Sequence, residues 1–305
     1  MPTSPDAAST RAAVDADHAA DRAGIRIEAV QTVRQADDAA DILRTLWSAA
    51  EVGERPRTDA ARPAAATVRP VAPDPTALPG NTIRALAHAG NYAVSVRDDR
   101  AGAQKNPTLA PIRAPPARRA LHSHITGLLP AARGRSIGTA VKLHQRAWAL
   151  AHGLTTVTWT YDPLIARNAH FNLSTLGAVP THYEVDFYGS MADGINDGDE
   201  TDRFAVDWDL TRPWPPDPST GEGDLLLAVG TAGEPLNRAA PAADGPVEIA
   251  IPHDIELARR NDPELGRAWR AALRDTLLPL LNRGYLVAGF TADAHYLLRP
   301  AHTRE

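Results

Sequence analysis

The chain has 305 residues, enough for one large domain or two modest ones, and 43% of them are hydrophobic, enough to fill a buried core. A net charge of -5 provides no basic field to recruit nucleic acid or an anionic membrane, and no stretch is apolar over the length a bilayer span needs. There is no cysteine, which removes disulfides, thiol nucleophiles and thiolate metal sites; with no apolar leader in the first residues, a soluble cytoplasmic protein is expected.

Residues 1–23 are rich in Ala, Asp, Arg and Ser without apolar periodicity, and a disordered tail is expected there. Ile25 and Ile27 begin a strand. Over 37–50, Ala40, Leu43 and Trp47 share one helical face. Residues 51–80 carry many prolines and alanines and read as a long loop. Asn81 is placed to cap a short helix that stops at Gly90, and "NYAVSVRDD" leaves it as a strand. Residues 100–119 hold four prolines and no sustained alternation, so they make a poor strand.

Beyond them the pattern sharpens. Residues 121–129 are strand-like and 138–152 helical, with Gly153 as the stop. "LTTVTWTY" alternates as a strand, 168–176 forms a short helix closed by Gly177, and "THYEVDFY" and "FAVDWDL" alternate again. A Pro/Asp/Gly/Ser linker follows at 211–223. Strands are expected at 225–229 and 246–251. Asp262-Pro263 then opens a long amphipathic helix through Leu265, Trp269, Ala272, Thr276 and Leu280, kinked near Pro279 and ended by Gly284. Two strands close the chain, and no fixed-period repeat is present.

"LLPAARGRSIGTAV" (128–141) carries the strongest chemical signal. A helix that starts just after a strand presents unpaired N–H groups and the positive end of its dipole. Gly134 and Gly138 permit a tight turn, while Arg133 and Arg135 supply forked donors suited to phosphate. Neither a P-loop nor a Rossmann fingerprint is present. On its own the loop fits an anion cradle and a plain strand–turn–helix connection equally well.

The same stretch resembles the coenzyme A signature of the GNAT superfamily of acyl-CoA N-acyltransferases, in which an apolar-x-Pro strand end leads into Arg-Gly-x-Gly-x-Gly and a helix. "TWTYDPL", "NAHFNLSTLGA" and "DRFAVDW" extend the resemblance, to one GNAT-like subfamily, over about 121–210. It implies an α/β (α+β) fold with a mixed, mainly antiparallel sheet splayed after the 121–129 strand. It divides the chain into an acyl-CoA-binding domain at 24–210, the linker, and a smaller C-terminal α+β region at 224–305.

The resemblance further implies acetyl-CoA or another acyl-CoA as cosubstrate, no metal, and a small amine such as an amino acid as acceptor. Backbone groups of Arg133, Gly134, Arg135, Ser136, Ile137, Gly138 and Thr139 would hold the pyrophosphate. Ser136 stands where the pattern has glycine. A backbone N–H near Leu128 and Leu129 would polarise the thioester carbonyl, and Asn168, Phe171 and Asn172 would line the cofactor arm. The tyrosine that protonates the leaving thiolate in many relatives falls at Leu173, so Tyr161 or water is the substitute.

Strand alternation puts His122, His124 and Thr126 of "LHSHIT" on one face, where the histidines could relay a proton or form a hydrogen-bonded interior pair. A His-x-His metal site lacks a third ligand at helix or strand spacing. Arg203 could grip a substrate carboxylate or pair with Asp202 or Glu184. Trp159, Trp208 and Trp269 are expected in the core. Leu173 and the proline-rich 100–119 segment keep a second reading open, a non-catalytic CoA-binding or structural protein. Oligomeric state is not encoded in any motif.

Overall fold

The computed structural model describes residues 5–51, 78–98, 105–108, 112–113, 120–124, 126–128, 134–189, 200–218, 222–238 and 245–301. The expected disordered tail is instead a helix, α1 (Pro5–Ala23). Ala8, Ala12, Ala16, Ala19 and Ala23 recur every three or four residues and are buried, giving a face low enough to lie against α4 (Ile137–Ala151). Alanine is the best helix former and loses no side-chain entropy on burial, so a stripe without large apolar residues still folds. Asp15 of α1 also pairs with the buried Arg146 of α4 at 2.9 Å.

Three sheets follow. In the first, β1 (Ile25–Ala29), β2 (Val94–Asp98) and β3 (Lys105–Thr108) pair antiparallel in that order. Two helices, α2 (Val33–Glu51) and α3 (Gly80–His88), pack beside it, and Ala40 and Leu43 are buried with Ile83 as the periodicity predicts. The Trp47 side chain and most of the 51–80 loop lie outside the described residues. Asn81 does not cap α3: Pro79 holds that position, and Asn81 Oδ1 accepts from the Thr82 N–H at 2.8 Å. The proline-rich segment supplies two strands after all, β3 and β4 (Ile112–Arg113). Pro107 is tolerated because β3 is a sheet edge, where a missing N–H costs no ladder bond.

The central sheet runs β4-β5-β6-β8-β7, with β5 (Ala120–His122), β6 (Thr156–Tyr161), β7 (Val179–Glu184) and β8 (Arg203–Asp209). Only β5 and β6 are parallel, joined through α4. The third sheet runs β10-β9-β11-β13-β12, built from β9 (Asp224–Val229), β10 (Pro235–Asn237), β11 (Val247–Ala250), β12 (Tyr285–Phe290) and β13 (His295–Pro300). Its one parallel pair is β9 with β11. The expectation of a mixed, mainly antiparallel architecture holds.

Between β11 and β12 come α6 (Ile255–Asn261) and α7 (Pro263–Asn282). Asp262 caps α7 by accepting from the Glu264 and Leu265 N–H groups, with Pro263 at the first helical position. Trp269, Leu273 and Tyr296 of this region share one continuous core with Trp159, Phe204 and Trp208 of the central sheet.

One difference positions the site. The 121–129 strand ends at His122; the Ser123 N–H makes one more parallel contact, to Thr158 O at 2.7 Å, and the ladder stops. From there β6 runs on to Tyr161 paired with β8, while His124 and residues 126–128 carry no strand assignment. A cleft opens beyond that last pairing.

Candidate functional site

The loop before α4 is built from left-handed residues. Gly134 has φ +74° and Ser136 +57°, so the chain reverses sharply into the helix. No side chain caps α4, whereas α6 and α7 are capped by Asp254 and Asp262. Ala140 is the first residue whose N–H finds a helical acceptor, Ser136 O at 3.0 Å, which leaves the preceding turn's N–H groups directed out of the helix end. Arg135 does not join them. Its guanidinium grips Asp98 of β2 through two bonds and donates to Ala23 O at 3.3 Å, so it anchors the loop. Arg133 and Leu129 lie outside the described residues.

The cleft has a volume of about 610 Å³. Of the residues the sequence singles out, it is lined by His124, Leu128, Gly134, Ser136, Ile137, Gly138, Thr139, Tyr161, Asn168, Phe171 and Asn172. Among the described residues no Asp or Glu lines it, while His124, Lys142 and Arg167 do, and Arg167 is paired with Glu256. Gly138 admits close approach: a Cβ there would meet Phe171 at 3.6 Å and Leu128 at 3.7 Å, ordinary contacts that already enclose the helix start.

The far wall is irregular. A short α-helix, α5 (Ala166–Ala169), passes into a π-helical turn over His170–Thr175. The wider turn sets Phe171 and Asn172 toward the cleft and buries Leu173 against a different cavity, near Trp214. Asn172 Oδ1 accepts from Trp159 Nε1 at 3.2 Å.

The histidine rings stand 6.2 Å apart, on one side as alternation predicts, but only His124 lines the cleft. His122 is held by Thr158 Oγ1 at 3.2 Å, and burial, then His124 and Lys142, push its pKa down. Tyr161 is a poorer acid than expected. Tyr296 donates its hydroxyl proton to Pro163 O at 2.7 Å, so the 3.3 Å contact between the two phenols is made by the Tyr161 proton, and burial raises its pKa. Arg203 does not reach the cleft and pairs with neither Asp202 nor Glu184 through their carboxylates. It donates to the Asp202 backbone carbonyl at 2.9 Å and lies over the Tyr188 ring. The Asp202 carboxylate is taken by Arg274 and Tyr183.

Sequence reading missed the cleft's floor. Lys142 lies one helical turn inward from Gly138 on the same stripe, buried, with Nζ donating to Ser123 Oγ (2.9 Å) and Gln145 Oε1 (3.2 Å). The i, i+4 spacing from the loop glycine was the available signal. Among the described residues no group of three or more His, Asp or Glu could hold a metal, and no helix is long and apolar enough to cross a membrane.

No family model matches the chain, and no curated protein matches it in sequence. Solved structures that are similar in part include the following two. Ribosomal-protein-S5-alanine acetyltransferase from Vibrio fischeri is 14% identical, with a TM-score of 0.41 over 63% of this chain and 96% of that one. Mycobacterium smegmatis RimJ in complex with CoA-disulfide is 15% identical, with a TM-score of 0.39 over 61% and 82%. Similarity at that level leaves the site to be read from its own geometry.

Proposed function

We propose that the protein is an acyl-CoA-dependent N-acyltransferase in which an amine attacks the thioester directly within a ternary complex. The observation that carries this reading is the uncapped start of α4, opening onto a cleft beyond the last β5–β6 pairing, with no carboxylate among its described lining residues. A diphosphate is the kind of group that an exposed first turn and its dipole stabilise. The N–H groups of Ile137, Gly138 and Thr139 are the donors, and Arg135 keeps the turn in shape through Asp98. Arg133 would add charge at the same end. The parted strands leave room for the pantetheine arm between Leu128 and the Asn168, Phe171 and Asn172 wall.

His124 is the base for the acceptor amine. Among the described residues no Asp or Glu lines the cleft, and imidazole is the side chain suited to accepting a proton from an amine there. A small amine such as an amino acid is the proposed acceptor; one similar structure is named a ribosomal-protein-S5-alanine acetyltransferase, which adds an alanyl protein group as a second class to try.

One observation favours a non-catalytic CoA-binding role: neither Leu173 nor the engaged Tyr161 offers a phenolic proton to a leaving thiolate. Calorimetry with CoA and acetyl-CoA, followed by thiol release with amino acids, polyamines and an alanyl peptide, separates the readings. No binding by either thioester or thiol sinks both. Binding without thiol release from any amine leaves the binder.

A further inference from the structure

We propose that Lys142 is the acid of this cleft, passing a proton through Ser123 to the sulfur as the acyl–sulfur bond breaks; the inference rests on the acyltransferase reading above. Lys142 and Ser123 both line the cleft, and their polar atoms are 2.9 Å apart. Gln145 orients both, accepting from Lys142 Nζ at 3.2 Å and donating to Ser123 Oγ at 3.4 Å. The remaining face of the ammonium lies 3.9 Å from the centre of the Trp159 ring, whose own N–H is fixed by Asn172. A donor, its relay and their supports are therefore already assembled at the floor.

The charges around Lys142 explain why it can let a proton go. It faces His122 from the β5 side, the Trp159 ring from β6 and Gln145 from its own helix, with His124 and Asn172 lining the same cleft. None is an anion, and among the described residues no carboxylate pairs with it. Of the α1 acids, Asp15 acts on Arg146 and Asp17 on His144. Burial without a counter-ion brings the amine down to about 7. An ordinary thiol titrates at about 8.5, so transfer from this ammonium to a nascent thiolate runs downhill.

The step balances. The amine nitrogen bonds to the acyl carbon, and the carbon–sulfur pair leaves on sulfur. Ser123 Oγ–H protonates the sulfur as Lys142 Nζ–H refills the serine. The proton shed by the attacking nitrogen, accepted by His124, returns through solvent to the neutral lysine.

The test uses the full-length protein, with Lys142→Met and Lys142→Arg. With CoA alone, calorimetry in two buffers of different ionisation enthalpy should show proton uptake near pH 7.5 for wild type, as the anionic ligand raises the lysine's pKa, and none for Lys142→Met. With acetyl-CoA and an accepted amine, Lys142→Met should lose about a hundredfold in kcat while CoA affinity stays within about threefold. The fall of wild-type kcat on the alkaline side should disappear. Arginine keeps the cation but does not release its proton, so Lys142→Arg should remain as slow. Full kcat in Lys142→Met, or rescue by Lys142→Arg, overturns the acid assignment while leaving the acyltransferase intact. A wild-type protein that binds no CoA overturns the reading beneath it.

Discussion

At the scale of single residues, Ser136 holds a conformation its side chain disfavours. A non-glycine residue at φ +57° costs roughly 1–2 kcal/mol, partly offset because glycine loses more entropy on folding. Ser136→Gly should therefore raise the denaturation midpoint by the equivalent of about 0.5–1 kcal/mol. CoA affinity should survive, because the N–H is unchanged; a lower midpoint would show that the serine hydroxyl matters. For His124→Ala the expected result is a kcat lower by about 10²–10³ with CoA affinity retained, and His122→Ala should matter less because its ring is tied to Thr158 outside the cleft. A thermal melt beside the kinetics separates lost chemistry from lost packing. The loop glycines were legible because the turn leaves few alternatives. Arg135 was legible only as a cation: its partner Asp98 lies on another strand, and no local pattern announces that pairing. Lys142 reads in sequence like any lysine on a helix until its neighbours are known.

At the scale of elements, α1 teaches the same lesson about contacts. Its sequence lacks large apolar residues, so periodicity in the usual sense is silent, and only α4 reveals that the alanine row is a packing face. Ala12 is fully buried in that face, whereas Arg11 beside it is exposed. Ala12→Leu should cost about 1–3 kcal/mol by overpacking, and Arg11→Leu close to nothing. Equal denaturation midpoints for the two variants would mean that α1 does not pack on α4. The strand expected over 121–129 is shorter in the structure, because apolar alternation continues past His122 although its ladder with β6 stops after Ser123. The helix at 138–152, by contrast, lies within one residue of its expected start and end, because glycine loops bound it on both sides.

At the scale of the whole molecule, the central sheet and the C-terminal helices are joined by a buried ion cluster. Asp162, just past β6, accepts from Arg270 of α7 at 2.8 Å through each oxygen and from Arg259 of α6 at 3.1 Å. Burial alone would raise the Asp162 pKa, but Arg270 and then Arg259 outweigh it and hold the carboxyl far below its usual range. A carboxyl whose folded pKa is depressed stabilises the protein above its unfolded value of about 4, and that contribution fades as pH falls below it. Asp162→Asn should cost about 3–5 kcal/mol at pH 7, because two buried guanidinium groups lose their counter-charge. The penalty measured by denaturant should shrink toward pH 3. A penalty that stays constant with pH would place the cost in packing rather than charge. None of this is readable in the sequence: Asp162 lies about a hundred residues from both arginines, and the composition of 211–223 suggests a break between the regions they join.

The uncapped start of α4 has a kinetic consequence. On the acyltransferase reading its N–H groups would address the end of the thioester molecule that the reaction leaves untouched, so the spent thiol would keep every contact made there. Released CoA should thus compete with acyl-CoA at an inhibition constant close to the substrate's own KM, as initial rates over a matrix of both concentrations can establish. Turnover would follow the proportion of the pool that is acylated more than its absolute size.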